Sequence, residues 1–163
     1  IGCVLHCVPM IMNVNKIDAG QSFDYYMEGI TPSIARMAER VDAERIALAK
    51  KLGIDVASTA QSVINGYGSH GENLYEVIQT TQAYAGIQSP SSLAHRFCHE
   101  DTFGSLVGFA TLAKELGVPT PGMDAIITCI SMATGIDYFT VGRTAQKVGL
   151  TGKSVDEIYE MIR

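Results

Sequence analysis

The chain has 163 residues, 47% of them hydrophobic and 18% charged, which suffices for one self-supporting core and is too apolar for a disordered segment. A net charge of -5 and a pI near 5.3, with twelve basic residues scattered rather than clustered, argue against a nucleic-acid surface, and no nucleic-acid partner is expected. Four cysteines without a CxxC pair are too few for a disulfide framework, so reduced thiols in a cytoplasmic protein are expected.

Between Ile1 and Asn13, Val4, Leu5, Val8, Ile11 and Met12 fall at helical intervals, and Pro9 predicts a short or kinked helix. His6 and Pro9 interrupt this apolar stretch and no basic segment precedes it, so neither a signal nor a membrane span is expected. The start at Ile rather than Met suggests part of a longer polypeptide. On residue pattern alone, His6 reads as a buried, hydrogen-bonded core histidine. A polar connection through Asn15, Lys16, Asp18 and Ser22 leads to Phe23, Tyr25, Tyr26 and Met27, an extended or irregular piece ending at Gly29.

Thr31 as N-cap and Pro32 in the first turn begin the clearest helix, whose stripe of Ile34, Met37, Val41, Leu48 and Leu52 continues to Gly53. Glu39, Arg40, Glu44, Lys50 and Lys51 lie mostly off that stripe and read as a solvated face. Asp55 is the expected cap of the next helix, through Val56, Ala60, Val63 and Ile64. That helix runs into Gly66-Tyr67-Gly68-Ser69-His70-Gly71, which spells GxGxxG. No preceding strand accompanies it, and Ser91 and Ser92 occupy the region where the fingerprint needs an acidic residue, so it reads as a helix stop and turn.

A helix is expected from Glu72 to Tyr84, then a loop from Gln88 to Asp101, then a helix from Phe103 to Leu116 closed by Gly117. Val118-Pro119-Thr120-Pro121 forms a stiff linker, and Thr120 with Pro121 starts a nearly all-apolar helix to Thr134 that should be central. Asp137 caps the following segment, and Ser154 with Glu157 makes a capping box for a last helix to Ile162. The fold expected is all-α, about seven helices in one domain over residues 1–163.

The loop stretch Arg96-Phe97-Cys98-His99-Glu100-Asp101 concentrates reactive groups without helical periodicity. His95, Cys98, His99, Glu100 and Asp101 are all ligand types, but no second cluster with ligand spacing exists and no metal is expected. Arg96 is suited to bidentate capture of a carboxylate, and an aspartate can orient a distant histidine as acid or base; His6, His70, His95 and His99 are the candidates. A local ion pair of Arg96 with Glu100 or Asp101 explains the stretch equally well on composition.

Six short blocks, in order, give the chain a further reading: His6 with Met12-Asn13; Tyr25-Tyr26-Met27-Glu28-Gly29-Ile30-Thr31-Pro32; Asp42-Ala43-Glu44-Arg45; Arg96 to Asp101; Val118 to Pro121; and Asp137-Tyr138 with Gly142-Arg143-Thr144. In this order they resemble the helical C-terminal domain of the octopine and nopaline (opine) dehydrogenases. The resemblance implies a fold like the C-terminal domain of 6-phosphogluconate dehydrogenase. It also implies NAD(P)H-dependent condensation of an α-keto acid with an amino acid. By position, His6 would be the catalytic acid/base, Asp101 its orienting carboxylate, Arg96 the keto-acid clamp and Asn13 a substrate contact. NAD or NADP would be bound mainly by an N-terminal Rossmann domain of the same polypeptide, and a homodimer is compatible with the resemblance. The chain departs from the family pattern at Gly2 for asparagine, Cys7 for proline, and Thr102-Phe103 for an aliphatic residue and proline. The competing readings are the helical domain of a hydroxy-acid reductase and a non-catalytic dimerisation module.

Overall fold

The computed structural model describes residues 1–163 as eleven α-helical segments with no sheet, in agreement with the all-α expectation. They are α1 (Gly2–Leu5), α2 (Cys7–Met12), α3 (Val14–Asp18), α4 (Pro32–Lys51), α5 (Thr59–Tyr67), α6 (Leu74–Gln79), α7 (Arg96–Asp101), α8 (Val107–Glu115), α9 (Pro121–Thr134), α10 (Tyr138–Val141) and α11 (Val155–Met161). The expected first helix is divided into α1 and α2, while α3, α7 and α10 are added. No helix is long and apolar enough to cross a membrane.

The break between α1 and α2 falls on His6 (φ -110°, ψ -56°), not on Pro9. Proline has no N–H for the carbonyl four residues back and its ring presses on that carbonyl, so the distortion appears about one turn upstream. The carbonyl affected is that of Leu5. Tyr25 Oη approaches it at 3.4 Å and donates to the His6 carbonyl at 2.9 Å.

Helix α4 begins as its sequence predicts, with Thr31 Oγ1 accepting from the Ile34 N–H and Pro32 in the first turn. The expected solvated face holds for Arg40, Lys50 and Lys51, which are exposed, and is corrected at Glu44 and Glu39. Glu44 is buried and accepts the backbone N–H groups of Gly122 and Met123, both at 2.8 Å, at the start of α9. Asp42, also buried, accepts the N–H and hydroxyl of Thr59 at 2.7 and 2.8 Å at the start of α5, and is held by Arg45 Nε at 2.8 Å. Glu39 accepts the Leu74 N–H at 2.7 Å, at the start of α6. One helix therefore supplies anions to the unsatisfied N–H groups of three others, where carboxylates are favoured by charge as well as by hydrogen bonding. The Asp42-Ala43-Glu44-Arg45 block is a packing device.

Two helix starts differ from expectation because side-chain caps lie elsewhere, and one helix ends early. Ser58, not Asp55, caps α5, and Asn73 starts α6. Helix α6 ends at Gln79, and a separate 3-10 turn covers Gln82–Tyr84. Gly68, at φ 68°, terminates α5 in the left-handed conformation that a residue without Cβ adopts freely, so the glycine-rich run is a helix stop. The capping box of α11 forms as read, with Ser154 and Glu157 reciprocally bonded. Helix α9 packs against α2, α4, α8 and α10 through Met123, Ile126, Ile127 and Ile130, but Met132 projects into solvent, so only one side of it is central.

The largest correction concerns residues 96–106. The expected loop ends in helix α7, capped by His95 Nδ1 accepting from the Phe97 N–H at 3.2 Å. A π-helical turn over Thr102–Leu106 then leads directly into α8. Wider turns of this kind insert a residue into a continuing helix and rotate the side chains that follow.

Candidate active site

Three flanks of helix α7 pack against the rest of the chain, each with a different assignment, and the fourth carries the exposed Arg96 and Glu100. Cys98 and Thr102 face the core. His99 and Phe103 stack on one another at 6.1 Å, and His99 Nδ1 lies 2.8 Å from Tyr138 Oη. Phe97 and Asp101, four residues apart and hence on one face, meet His6.

The His6 ring lies flat on Phe97, with centroids 3.9 Å apart and planes inclined by 8°. Its Nδ1 is 2.7 Å from Asp101 Oδ2. The partners are 95 positions apart in sequence, so the tertiary fold alone makes this pair. The His6 side chain is 18% exposed and that of Asp101 is 25%, which leaves the pair at the surface without full hydration. An ionised carboxylate only accepts, so in neutral His6 the proton belongs on Nδ1 and the lone pair on Nε2. Nε2 is 3.1 Å from Tyr26 Oη. Burial pushes the Tyr26 phenol up to about 12, with further contributions from Tyr67 and Asp101, so at neutral pH it keeps its proton and can donate to Nε2.

Of the residues singled out from sequence, His6 and Asp101 come together, and Arg96 is the first residue of α7, the helix that ends in Asp101. The Arg96 side chain is 69% exposed, and its contact with Glu100 is a loose 3.9 Å pair one helical turn along. Asn13 is buried in a structural role: its Nδ2 donates to the carbonyls of Pro9 at 2.9 Å and Gly29 at 2.8 Å, leaving only Oδ1 for another partner. No three histidine, cysteine, aspartate or glutamate side chains converge closely enough to hold a metal ion, because those of α7 radiate to different flanks. Cys7 lies against Thr102 Oγ1 at 3.4 Å, and burial raises its thiol well above the ordinary range. A cavity of about 410 Å³ adjoins His99, Tyr138, Leu93 and Ile136 and shares no residue with the His6 cluster.

Phe97 and Tyr26 escaped the sequence reading as site residues. The signal for Phe97 was its helical spacing from Asp101, hidden by reading the segment as a loop. For Tyr26 no spacing could serve, since the contact with His6 depends on an irregular segment folding back. Asp24 organises that segment: Oδ1 accepts the N–H groups of Tyr26 and Met27 at 3.2 and 3.0 Å, and Oδ2 accepts that of Gly86 at 2.6 Å. Gly29 closes it where any Cβ would overlap the Tyr25 carbonyl.

Residues 1–134 match the profile of the NAD/NADP octopine/nopaline dehydrogenase alpha-helical domain. The chain is 40% identical over 152 residues to opine dehydrogenase of Arthrobacter sp. (strain 1C), covering 93% of this chain and 42% of that protein. It is 27% identical over 134 residues to protein ocs of Agrobacterium tumefaciens (strain Ach5), covering 82% and 37% respectively. The fold superposes on a solved octopine dehydrogenase bound to NADH and L-arginine with a TM-score of 0.73 at 20% identity, over 96% of this chain and 46% of that one. The chain thus spans less than half the length of these relatives. By the extent of the profile match and the order of its sequence blocks, the chain belongs to the octopine/nopaline dehydrogenase family as its alpha-helical domain.

Proposed function

We propose that the chain is the substrate-binding and catalytic domain of an opine-type dehydrogenase, which joins an α-keto acid to the amine of an amino acid in an NAD(P)H-dependent reductive condensation. The observation that carries this reading is the 2.7 Å His6–Asp101 pair at the surface, with Arg96 exposed on the same short helix. Condensation requires the amine to lose protons, the carbonyl oxygen to gain them, and water to depart. His6 is the group that takes and returns protons through Nε2. Asp101 holds the ring through Nδ1 and stabilises the imidazolium when it forms. Arg96, held only by a long contact to Glu100, turns its paired donors to the keto-acid carboxylate. The free Oδ1 of Asn13 is the atom that would reach a substrate.

This chain does not fit the pyrophosphate of a dinucleotide: its only glycine fingerprint ends helix α5, and no strand precedes it. The reading therefore places NAD or NADP on an N-terminal Rossmann domain of the same polypeptide, and confines this domain to orientation and proton transfer. The partially exposed His6 cluster and its separation from the 410 Å³ cavity support a site completed from outside the chain.

The test is NADH and NADPH oxidation by the polypeptide that carries this domain, with α-keto acids crossed against a panel of amino acids. Turnover that needs both partners is expected. Turnover with a keto acid alone would replace the proposal with a hydroxy-acid reductase, and turnover with no pair would favour a non-catalytic helical module.

A further inference from the structure

His6 has three close partners, and Tyr26 has no part in the chemistry set out above. We infer that Tyr26 is a positioning residue for His6, its hydroxyl bonding Nε2 in the resting site whether the ring is neutral or charged and yielding that atom to the substrate while a proton is exchanged; the inference rests on the proposed role of His6.

A hydroxyl both donates and accepts. Toward neutral His6 the Tyr26 O–H donates to the Nε2 lone pair, and toward the charged ring the same oxygen accepts from Nε2–H, with the phenolic hydrogen turned away. The proton that separates the two states passes between Nε2 and the substrate, whose N–H or O–H bond breaks or forms as the ring N–H forms or breaks, while the Tyr26 O–H bond stays intact. An aspartate at this position would favour only the charged ring, and a lysine only the neutral one. Tyr26 therefore holds the imidazole against Asp101 before and after each transfer, in either protonation state of Nε2.

The surroundings of Tyr26 suit a fixed support. It is 5% exposed, it stacks on Tyr84 with centroids 4.3 Å apart and planes inclined by 19°, and it meets Tyr25 edge-on at 5.0 Å. The two consecutive tyrosines grip opposite ends of the same residue. Tyr25 donates to the His6 backbone carbonyl at 2.9 Å, and Tyr26 bonds the ring at 3.1 Å. Phe97 covers one ring face, so the imidazole is constrained in position, tilt and rotation.

Tyr26→Phe keeps the stacking and deletes only the hydroxyl. In the ¹⁵N-histidine-labelled chain, this substitution is expected to move the Nε2 resonance of His6 while leaving that of exposed His70 in place, at an unchanged unfolding midpoint. An unmoved Nε2 resonance would overturn the inference irrespective of any enzyme activity. In the active polypeptide, Tyr26→Phe should lower kcat about tenfold or more with KM within about threefold, since the lost contact acts through the acid/base group. In a His6→Ala background it should change kcat no further. A further loss there would show that Tyr26 acts independently of His6 and would equally overturn the inference. A moved resonance in a polypeptide that turns over no amine and keto-acid pair would instead remove the proposed reaction and leave the Tyr26–His6 contact standing.

Discussion

Gly2 and Asp101 are fitted to one another: a Cβ on Gly2 would stand 2.8 Å from Asp101 Oδ1, and 3.5 Å from its Cγ. The same carboxylate reaches His6 through Oδ2 at 2.7 Å. The departure from the family's asparagine at position 2 therefore lies against the acid/base pair itself. An aspartate side chain is short, and giving way to a new Cβ would move the carboxylate relative to the imidazole.

Gly2→Ala should consequently separate activity from stability. Gly2 is the first residue of the short α1, where alanine gains less than the roughly 0.5–1 kcal/mol of a helix interior, and Asp101 is partly exposed, so displacing its carboxylate costs little stability. The expected outcome is an unfolding free energy within about 1 kcal/mol of the parent and a kcat lowered about tenfold or more. Unaltered kcat in the active polypeptide would show that the carboxylate has room to move without losing its hold on His6.

Asp101→Asn tests the orienting role directly. An amide preserves shape but presents either a neutral acceptor or a donor to Nδ1, so it no longer stabilises the charged ring and can favour the wrong tautomer. A fall in kcat of about 10²–10⁴-fold is expected from loss of acid/base function, with little effect on the melting temperature. Arg96→Ala, at an exposed position, should instead act mainly through KM for the keto acid, and Arg96→Lys should not restore it because a point charge lacks the paired donors. A steady-state matrix of the three variants distinguishes these patterns.

The sequence revealed the two helices with strong end signals, α4 and α11, and the all-helical class, because caps and apolar spacing are local properties. It also offered His6, Arg96 and Asp101 as types suited to acid/base work, but the partnership of His6 with Asp101 came only through the family resemblance, since nothing local links residues 95 positions apart. Two charged residues of α4 were misread for a related reason: Glu39 and Glu44 are hydrophilic by type, yet their partners are backbone N–H groups of helices distant in sequence. The Gln88 to Asp101 loop failed at its end because α7 is only six residues long and runs into a π-helical turn, so its spacing never completes two regular turns.

Glu44→Ala should be among the most damaging substitutions outside the site. It removes a buried carboxylate from two N–H groups at the start of α9 and leaves both donors without a partner. Unsatisfied buried donors and lost charge-assisted bonds predict a loss of roughly 2–4 kcal/mol by denaturant unfolding. Gly122→Ala should destabilise through the same contact, because its Cβ would come within 2.9 Å of Glu44 Oε1. A loss below about 0.5 kcal/mol for Glu44→Ala, the range of ordinary surface changes, would contradict the capping role.

Alkaline pH should unfold the chain earlier than its acidic composition suggests. Burial pushes the Cys3 and Cys98 thiols up to about 11, from an ordinary value of 9.0, and the Tyr26 phenol up to about 12 from 10.0. Each group is an acid whose folded value is raised, so the unfolded chain releases its proton first. The stabilising contribution is complete below the unfolded values and falls as pH rises, beginning near pH 9.0 for the thiols and 10.0 for the phenol. The two thiols therefore withdraw part of the stability of the domain as pH rises toward about 11. Denaturant midpoints measured from about pH 7 to 10.5 should stay level to near 9 and then drop, and a Cys3→Ser/Cys98→Ala variant should show a shallower drop. Midpoints that remain level to pH 10.5 would show that these thiols ionise as readily in the folded chain as in the unfolded one.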